Sequence, residues 1–220
     1  MKCMLSLILA VLAGSGLLAA QGQTIRPDLA KASRGQGWTV QNRGISLLEE
    51  AGRQCVRLDE KPGDGAAWLE GAGFSEGTIE VDLRGKDVFQ RSFVGIAFHG
   101  LDEKTYDAVY FRPFNFRSED PARRSHAVQY ISHPANTWQR LRSEHPGAYE
   151  KPIEPPPDPN VWFHARIVVR GPKVSVFVND AREPSLVVER LSDRKGGRVG
   201  LWVGNGSGGD FCGFRITPAE

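Results

Sequence analysis

Apolar and polar residues alternate most regularly between residues 78 and 132, and each run predicts a strand with one buried and one polar face. Thr78–Gly85 sets Ile79, Val81 and Leu83 against Glu80, Asp82 and Arg84. Phe93–His99 sets Val94, Ile96 and Phe98 against Gly95, Ala97 and His99. In Ala108–Arg112, Val109 and Phe111 face the core while Tyr110 and Arg112 face away, and His126–Ser132 carries Gln129 between Val128 and Tyr130. Pro113 brings no N–H to a ladder, so the third strand ends there or reaches a sheet edge. Phe114, Asn115, Phe116 and Arg117 then keep interleaving rings with polar groups. Apart from the excursion at Phe114–Ser125, the links are short enough for the four strands to pair in sequence. That pairing places Glu80, Asp82, Arg84, His99, Tyr110, Arg112 and Gln129 on one face. A separation of Arg112 and Asp82 onto opposite walls would remove the saccharide reading drawn from this shared face.

The pattern extends in both directions. Residues 23–35 are expected to be a flexible leader. Gly37–Gln41 and Gly44–Glu49 form a first strand pair around Asn42-Arg43-Gly44, followed by strands at Cys55–Leu58 and Ala66–Glu70. Pro134–Asn160 interrupts the rhythm. Trp138 and Leu141 fall on a helical period, Asn136 or Thr137 can cap it, Pro146 ends it, and Lys151–Pro159 is an extended connector. An insertion this long is a lid, a binding loop or surface decoration. Strands resume at Trp162–Arg170, Lys173–Asn179, Leu186–Glu189, Arg198–Val203 and Phe211–Thr217. About a dozen short strands with turns between them predict an all-β, two-sheet antiparallel sandwich, one domain over residues 36–218.

Composition agrees: 25 glycines and 14 prolines suit many turns. With 28 basic and 26 acidic residues and no basic block, nucleic acid is not an expected partner. Residues 1–22 read as a signal peptide: Lys2, the apolar Leu5–Ala13, and a small-residue exit that suits cleavage after Ala20 or Gly22. The apolar run falls short of the about 20 residues a membrane span needs, and no later stretch is long enough. The expected location is therefore secreted or periplasmic. Cys55 and Cys212 remain after cleavage; they are either a disulfide or two buried thiols, since pairing needs Cα atoms within about 7 Å.

The order WFHARIVV, KVSVFVND, then GGRVGLWVGNGSGGDFCGFRI resembles the concanavalin A-like lectin/glucanase and laminin-G-like modules of exported bacterial proteins. More distantly, the chain is similar to 3-keto-disaccharide hydrolase domains. The resemblance implies a jelly-roll sandwich that binds or processes a carbohydrate on its concave sheet, although fold alone does not fix function. Glu80-Val81-Asp82 resembles the opening of the glucanase nucleophile motif. Retaining hydrolysis needs a second carboxyl about 5–5.5 Å away, and positions 84 and 85 are Arg84 and Gly85, so classical glucanase chemistry is not expected.

The candidate ligand-binding residues are Asp82, Tyr110, Arg112, Asn115, Arg117, Gln129 and Trp138, the last a sugar platform or a packing residue of the insertion. Glu80, His99 and His126 are the candidate proton carriers for a hydrolase or lyase, and His99, His126 and His133 are candidates to converge in space as acid/base groups. No histidine pair has zinc-ligand spacing. No cofactor is expected, although Asp102, Glu103 and Asp107 have the chemistry for calcium. Three readings stay open: a carbohydrate-binding module, a glycoside-active enzyme, and a structural module with a protein partner and an exposed apolar patch.

Overall fold

The computed structural model describes residues 22–50 and 52–219. The expected signal peptide lies, but for Gly22, outside the described residues. Two seven-stranded sheets, antiparallel throughout, make up the fold. The front sheet runs, edge to edge, β1 (Trp38–Gln41), β4 (Gly65–Phe74), β13 (Gly197–Val203), β6 (Val94–Gly100), β7 (Asp107–Phe111), β8 (Val128–Ser132) and β9 (Glu150–Lys151). The back sheet runs β12 (Leu186–Glu189), β11 (Lys173–Val178), β10 (Phe163–Arg170), β5 (Gly77–Arg84), β14 (Gly209–Pro218), β3 (Arg53–Leu58) and β2 (Ile45–Glu50).

The core lies between the sheets and consists of the apolar sides of the alternating strands. Ile79, Val81 and Leu83 of β5 meet Val94, Ile96 and Phe98 of β6 and Val109 and Phe111 of β7, all fully buried. Each such side chain contributes about 1.5–3 kcal/mol relative to an exposed one. This packing decides a point on which the sequence expectation was wrong. β5 and β6 do not pair; the link from Gly85 to Phe93 carries the chain from the back sheet to the front. Two strands with one apolar face each can meet edge to edge in one sheet or face to face across a core, and here they do the latter. The chain crosses in the same way at Asn42–Gly44, so β1 pairs with β4 and β2 with β3, not with each other.

The expected flexible leader is instead fastened down. Ile25 bridges Ile216, and Asp28 caps the one-turn helix α1 (Leu29–Ala32), its carboxylate accepting from Ala30 N at 2.9 Å. Leu29 and Ala32 are buried in the main core, so ordering the segment is offset by apolar burial.

Three further helices flank the front sheet. Pro113 opens α2 (Pro113–Phe116), where its missing N–H costs nothing. Asp120 caps α3 (Pro121–Arg124), and Thr137 caps α4 (Trp138–Glu144) through a bond from Arg140 N. Cys55 and Cys212 are joined by a disulfide between β3 and β14, with Cα atoms 4.5 Å apart. Such a bond points to an oxidising, extracytoplasmic environment.

Candidate functional site

One register row crosses the entire front sheet: Gln41, Ala66, Trp202, Gly95, Tyr110, Gln129 and Glu150 are successive cross-strand partners. Partners across a ladder point to the same face, here the face away from the core. The row grades from apolar at Ala66 to charged at Glu150. The next row is small in its middle, Gly200, Ala97 and Ala108, between Trp68 and Ile131. Large side chains on either side of small ones leave a hollow. Gly95 is required for the close approach: a Cβ there would sit 2.2 Å from Val109 O and 2.6 Å from Tyr110 Cα. Across it, Tyr110 and Trp202 pack at 5.1 Å between ring centroids.

Above this row opens a cleft of about 760 Å³. Tyr110, Ile131 and Trp202 line it from the sheet; Phe89 and Phe93 come from the link that crosses between sheets. Phe114, Asn115 and Arg123 come from the α2–α3 excursion, and Thr137, Trp138 and Arg142 from α4. The insertion therefore walls the cleft. Phe89, Phe93 and Phe114 meet edge to face at 5.4–5.6 Å, a favoured aromatic geometry. On the far rim, Asp64 and Asn205 sit on loops held by Arg43, whose buried guanidinium donates to the carbonyls of Asn42, Gly63, Gly204 and Ser207.

Arg112 is the polar centre, only 4% exposed. It donates to His126 O at 2.9 Å, to the Tyr110 hydroxyl at 2.6 Å and to Gln129 Oε1. Its guanidinium also lies over the Tyr110 ring at 4.8 Å. The Tyr110 hydroxyl donates in turn to Gln129 Oε1 at 2.8 Å. Burial lowers the Arg112 pKa and pushes Tyr110 up to about 12, so the phenol stays protonated. Beneath them Glu150 takes a two-pronged pair from Arg142 at 2.8 and 2.7 Å, with an Arg112 nitrogen at 3.6 Å. His126 Nδ1 lies 2.9 Å from a Glu150 oxygen without an aligned hydrogen bond. Burial lowers the pKa of His126 and of His133, which outweighs the pull of Glu150 and Asp64 and leaves both imidazoles neutral at pH 7.

The sequence-derived candidates thus divide. Tyr110, Arg112, Asn115, His126 and Trp138 line the cleft, and Gln129 supports it from below. Arg117 does not: α2 turns the chain by helical steps, so Phe116 packs on Phe163 while Arg117 reaches Asp158 at 3.0 Å on the surface. His99 leaves the face as well. At φ 51° beside an irregularity in the β13 ladder, it turns into a buried cluster, with Nδ1 at 3.1 Å from Asp107 and Nε2 at 2.7 Å from Ser75 O. Asp107 also accepts from Tyr130, Ser192 and Arg194, which removes it from any calcium set with Asp102 and Glu103. Among the described residues no group of three or more His, Cys, Asp or Glu side chains is placed to hold a metal.

Glu80 and Asp82 are on the opposite side of the molecule from Arg112, on the outer face of the back sheet. There Glu80 pairs with Arg215 at 2.7 and 2.6 Å, and His164 lies 2.8 Å from Asp82 and 3.4 Å from Glu80. Neither carboxylate shares a face with Arg112, contrary to the expectation from sequence. Sequence reasoning missed Glu150, Arg142, Arg123, Phe93 and Trp202, which no local pattern connects to Tyr110; only the register row does.

Chemically, the cleft offers ring faces, guanidinium donors and neutral imidazoles. Asp64 is the carboxylate that lines it among the described residues, so no acid pair for retaining hydrolysis faces the cavity.

No family model matches the chain, and no curated protein matches it significantly. Solved structures do. The carbohydrate-binding module CBM66 from Bacillus subtilis superposes with a TM-score of 0.55 at 18% identity, over 82% of this chain and 96% of that one. A Bacillus subtilis protein with a galectin-like fold gives 0.57 at 12%, over 90% and 97%. The exoplasmic/lumenal domain of VIP36, solved with Ca2+ and Man3GlcNAc, gives 0.53 at 12%, over 88% and 86%. At these identities the comparison shows the fold: this chain has the concanavalin A-like lectin/glucanase sandwich. No helix among the described residues is long and apolar enough to cross a membrane.

Proposed function

We propose that the protein is an exported carbohydrate-recognition module, secreted or periplasmic, which holds a saccharide in the front-sheet cleft. With Asp82 on the opposite side, the reading rests on that cleft alone. The observation that carries it is the pairing of ring faces with buried, pre-oriented donors: Phe93, Phe114, Trp138 and Trp202 around the Tyr110–Arg112–Gln129 network. Sugars present C–H faces that suit rings and hydroxyls that suit fixed polar groups, and a site held rigid before binding loses less entropy. The carbohydrate-binding neighbours support the same reading at the level of fold. A glycan array tests it, with Trp138→Ala as the control. Trp138 is 40% exposed, so its removal leaves the fold intact and weakens binding about tenfold or more. Binding to no glycan, or binding indifferent to Trp138, contradicts the proposal.

A second reading, turnover of a glycoside, is favoured by His126, a neutral imidazole that lines the cleft. Turnover of a 3-keto-glucoside panel, lost in His126→Ala, would establish it; inert substrates throughout would leave the binding module.

A further inference from the structure

We infer that the saccharide held in this cleft is anionic, carrying carboxylate or sulfate groups that meet the guanidinium groups of Arg123 and Arg142. The inference rests on the binding reading above and specifies its ligand.

Three arginines line the cleft, Arg112, Arg123 and Arg142, against one carboxylate, Asp64. The acid that balances two of them, Glu150, is shared: both its oxygens go to Arg142, and Arg112 is nearby at 3.6 Å. Arg123 has no carboxylate within ion-pair distance among the described residues. Its bonds go to neutral acceptors, Phe114 O at 3.0 Å and Asn115 Oδ1 at 3.4 Å. Those bonds and its stacking on Phe89 at 4.4 Å fix the guanidinium plane. Arg142 is likewise held, by Glu150 and over the Trp138 ring at 5.0 Å. In each case one terminal nitrogen, Nη1, has no hydrogen-bond partner among the described residues. A fixed planar fork with a spare edge is the geometry that recognises carboxylate and sulfate oxygens.

Asp64 does not cancel this charge. It immediately precedes β4, three strands from β7, so roughly 14 Å of sheet separates its backbone from that of Arg112. Its Oδ2 accepts from the Tyr106 hydroxyl at 3.1 Å. The cleft is therefore polarised, with cations crowded at the α3–α4 side and the acid at the far rim. A partly enclosed, low-dielectric cavity concentrates that field on its contents. Glu150, which could otherwise accept from a sugar hydroxyl, is already occupied by Arg142.

Titration calorimetry on the full chain, with three tetrasaccharides of equal length, tests the inference: a neutral galactan fragment, an oligogalacturonate and a sulfated galactan fragment. At least one acidic ligand is expected to bind ten times or more tighter than the neutral one; the two acidic arms tell carboxylate from sulfate. Arg123→Gln should erase most of that preference, and a thermal melt that overlays the parent's reports that the variant is folded. Should the variant fail to fold, the parent protein still decides, since an ionic contact weakens several-fold between 50 and 500 mM salt. Equal or tighter binding of the neutral fragment overturns the inference and leaves the binding reading standing. Binding of none of the three, together with a blank glycan array, overturns both.

Discussion

The outer faces of the two sheets are built from similar residues and put to different use. On the back sheet, carboxylates and cations close on each other: Glu80 with Arg215, Asp82 with His164 and Arg53, Asp210 with Arg57 and Arg84. Trp162 lies over Arg53 and Arg84 at 5.5 and 4.6 Å, and the charged groups are largely spent on one another. On the front sheet the excess is cationic, the guanidinium groups lie against rings, and two helical excursions wall them in. Charge alone therefore does not distinguish a site from a surface. Enclosure and unspent hydrogen-bonding capacity do.

The contrast is broken most severely at its centre. Arg112→Ala strips Tyr110 and Gln129 of their buried donor and removes a cation near Glu150. It should cost about 3–5 kcal/mol in denaturant unfolding and abolish saccharide binding, the magnitude expected when one member of a buried polar set is removed. A loss below about 1 kcal/mol would mean that the network is not the keystone of this face. Gly95→Ala comes next. The new methyl collides with the backbone of β7, so about 1–3 kcal/mol should be lost and binding should fall with the displaced Tyr110.

The back-sheet change is small. Glu80→Gln, in a partly exposed pair, should cost at most about 1 kcal/mol and leave binding unaltered. Its pH signature has a defined sign. The hydrogen bond with Asp82, then the nearby Asp82 and Glu80 charges, raise the His164 pKa, so that contribution is full below about pH 6.5 and fades as pH rises through the raised value. The bond from Arg215 lowers Glu80, and the bond with His164 lowers Asp82, so theirs is full above about pH 4.5 and fades as pH falls through the lowered values. Stability should therefore peak between about pH 4.5 and 6.5, and His164→Ala should flatten that peak in thermal melts.

The strands and their buried sides were legible because alternation with period two is a local property. Val109 and Phe111 inward, Tyr110 and Arg112 outward, needs no knowledge of neighbours. Sheet membership was not legible at the Gly85–Phe93 link, whose length suits a hairpin as well as a crossing between sheets. That ambiguity put Glu80 and Asp82 on the wrong face. Arg117 and His99 were misplaced because a helical turn after Pro113 and a positive φ at His99 each break the two-residue period. Half of the cleft was beyond any local signal: Trp202 and Glu150 reach Tyr110 only through the pairing of strands far apart in sequence.

The five tryptophans divide between the two faces and the interior, and a single indole N–H spectrum compares them directly. Trp138 and Trp202 line the cleft, while Trp162 donates to Glu50 on the back face at 3.0 Å. Titrating a saccharide that the glycan array identifies should shift the indole signals of Trp138 and Trp202 and leave that of Trp162 in place. A shift at Trp162 with the cleft tryptophans unmoved would put the ligand on the ion-paired sheet and contradict the account.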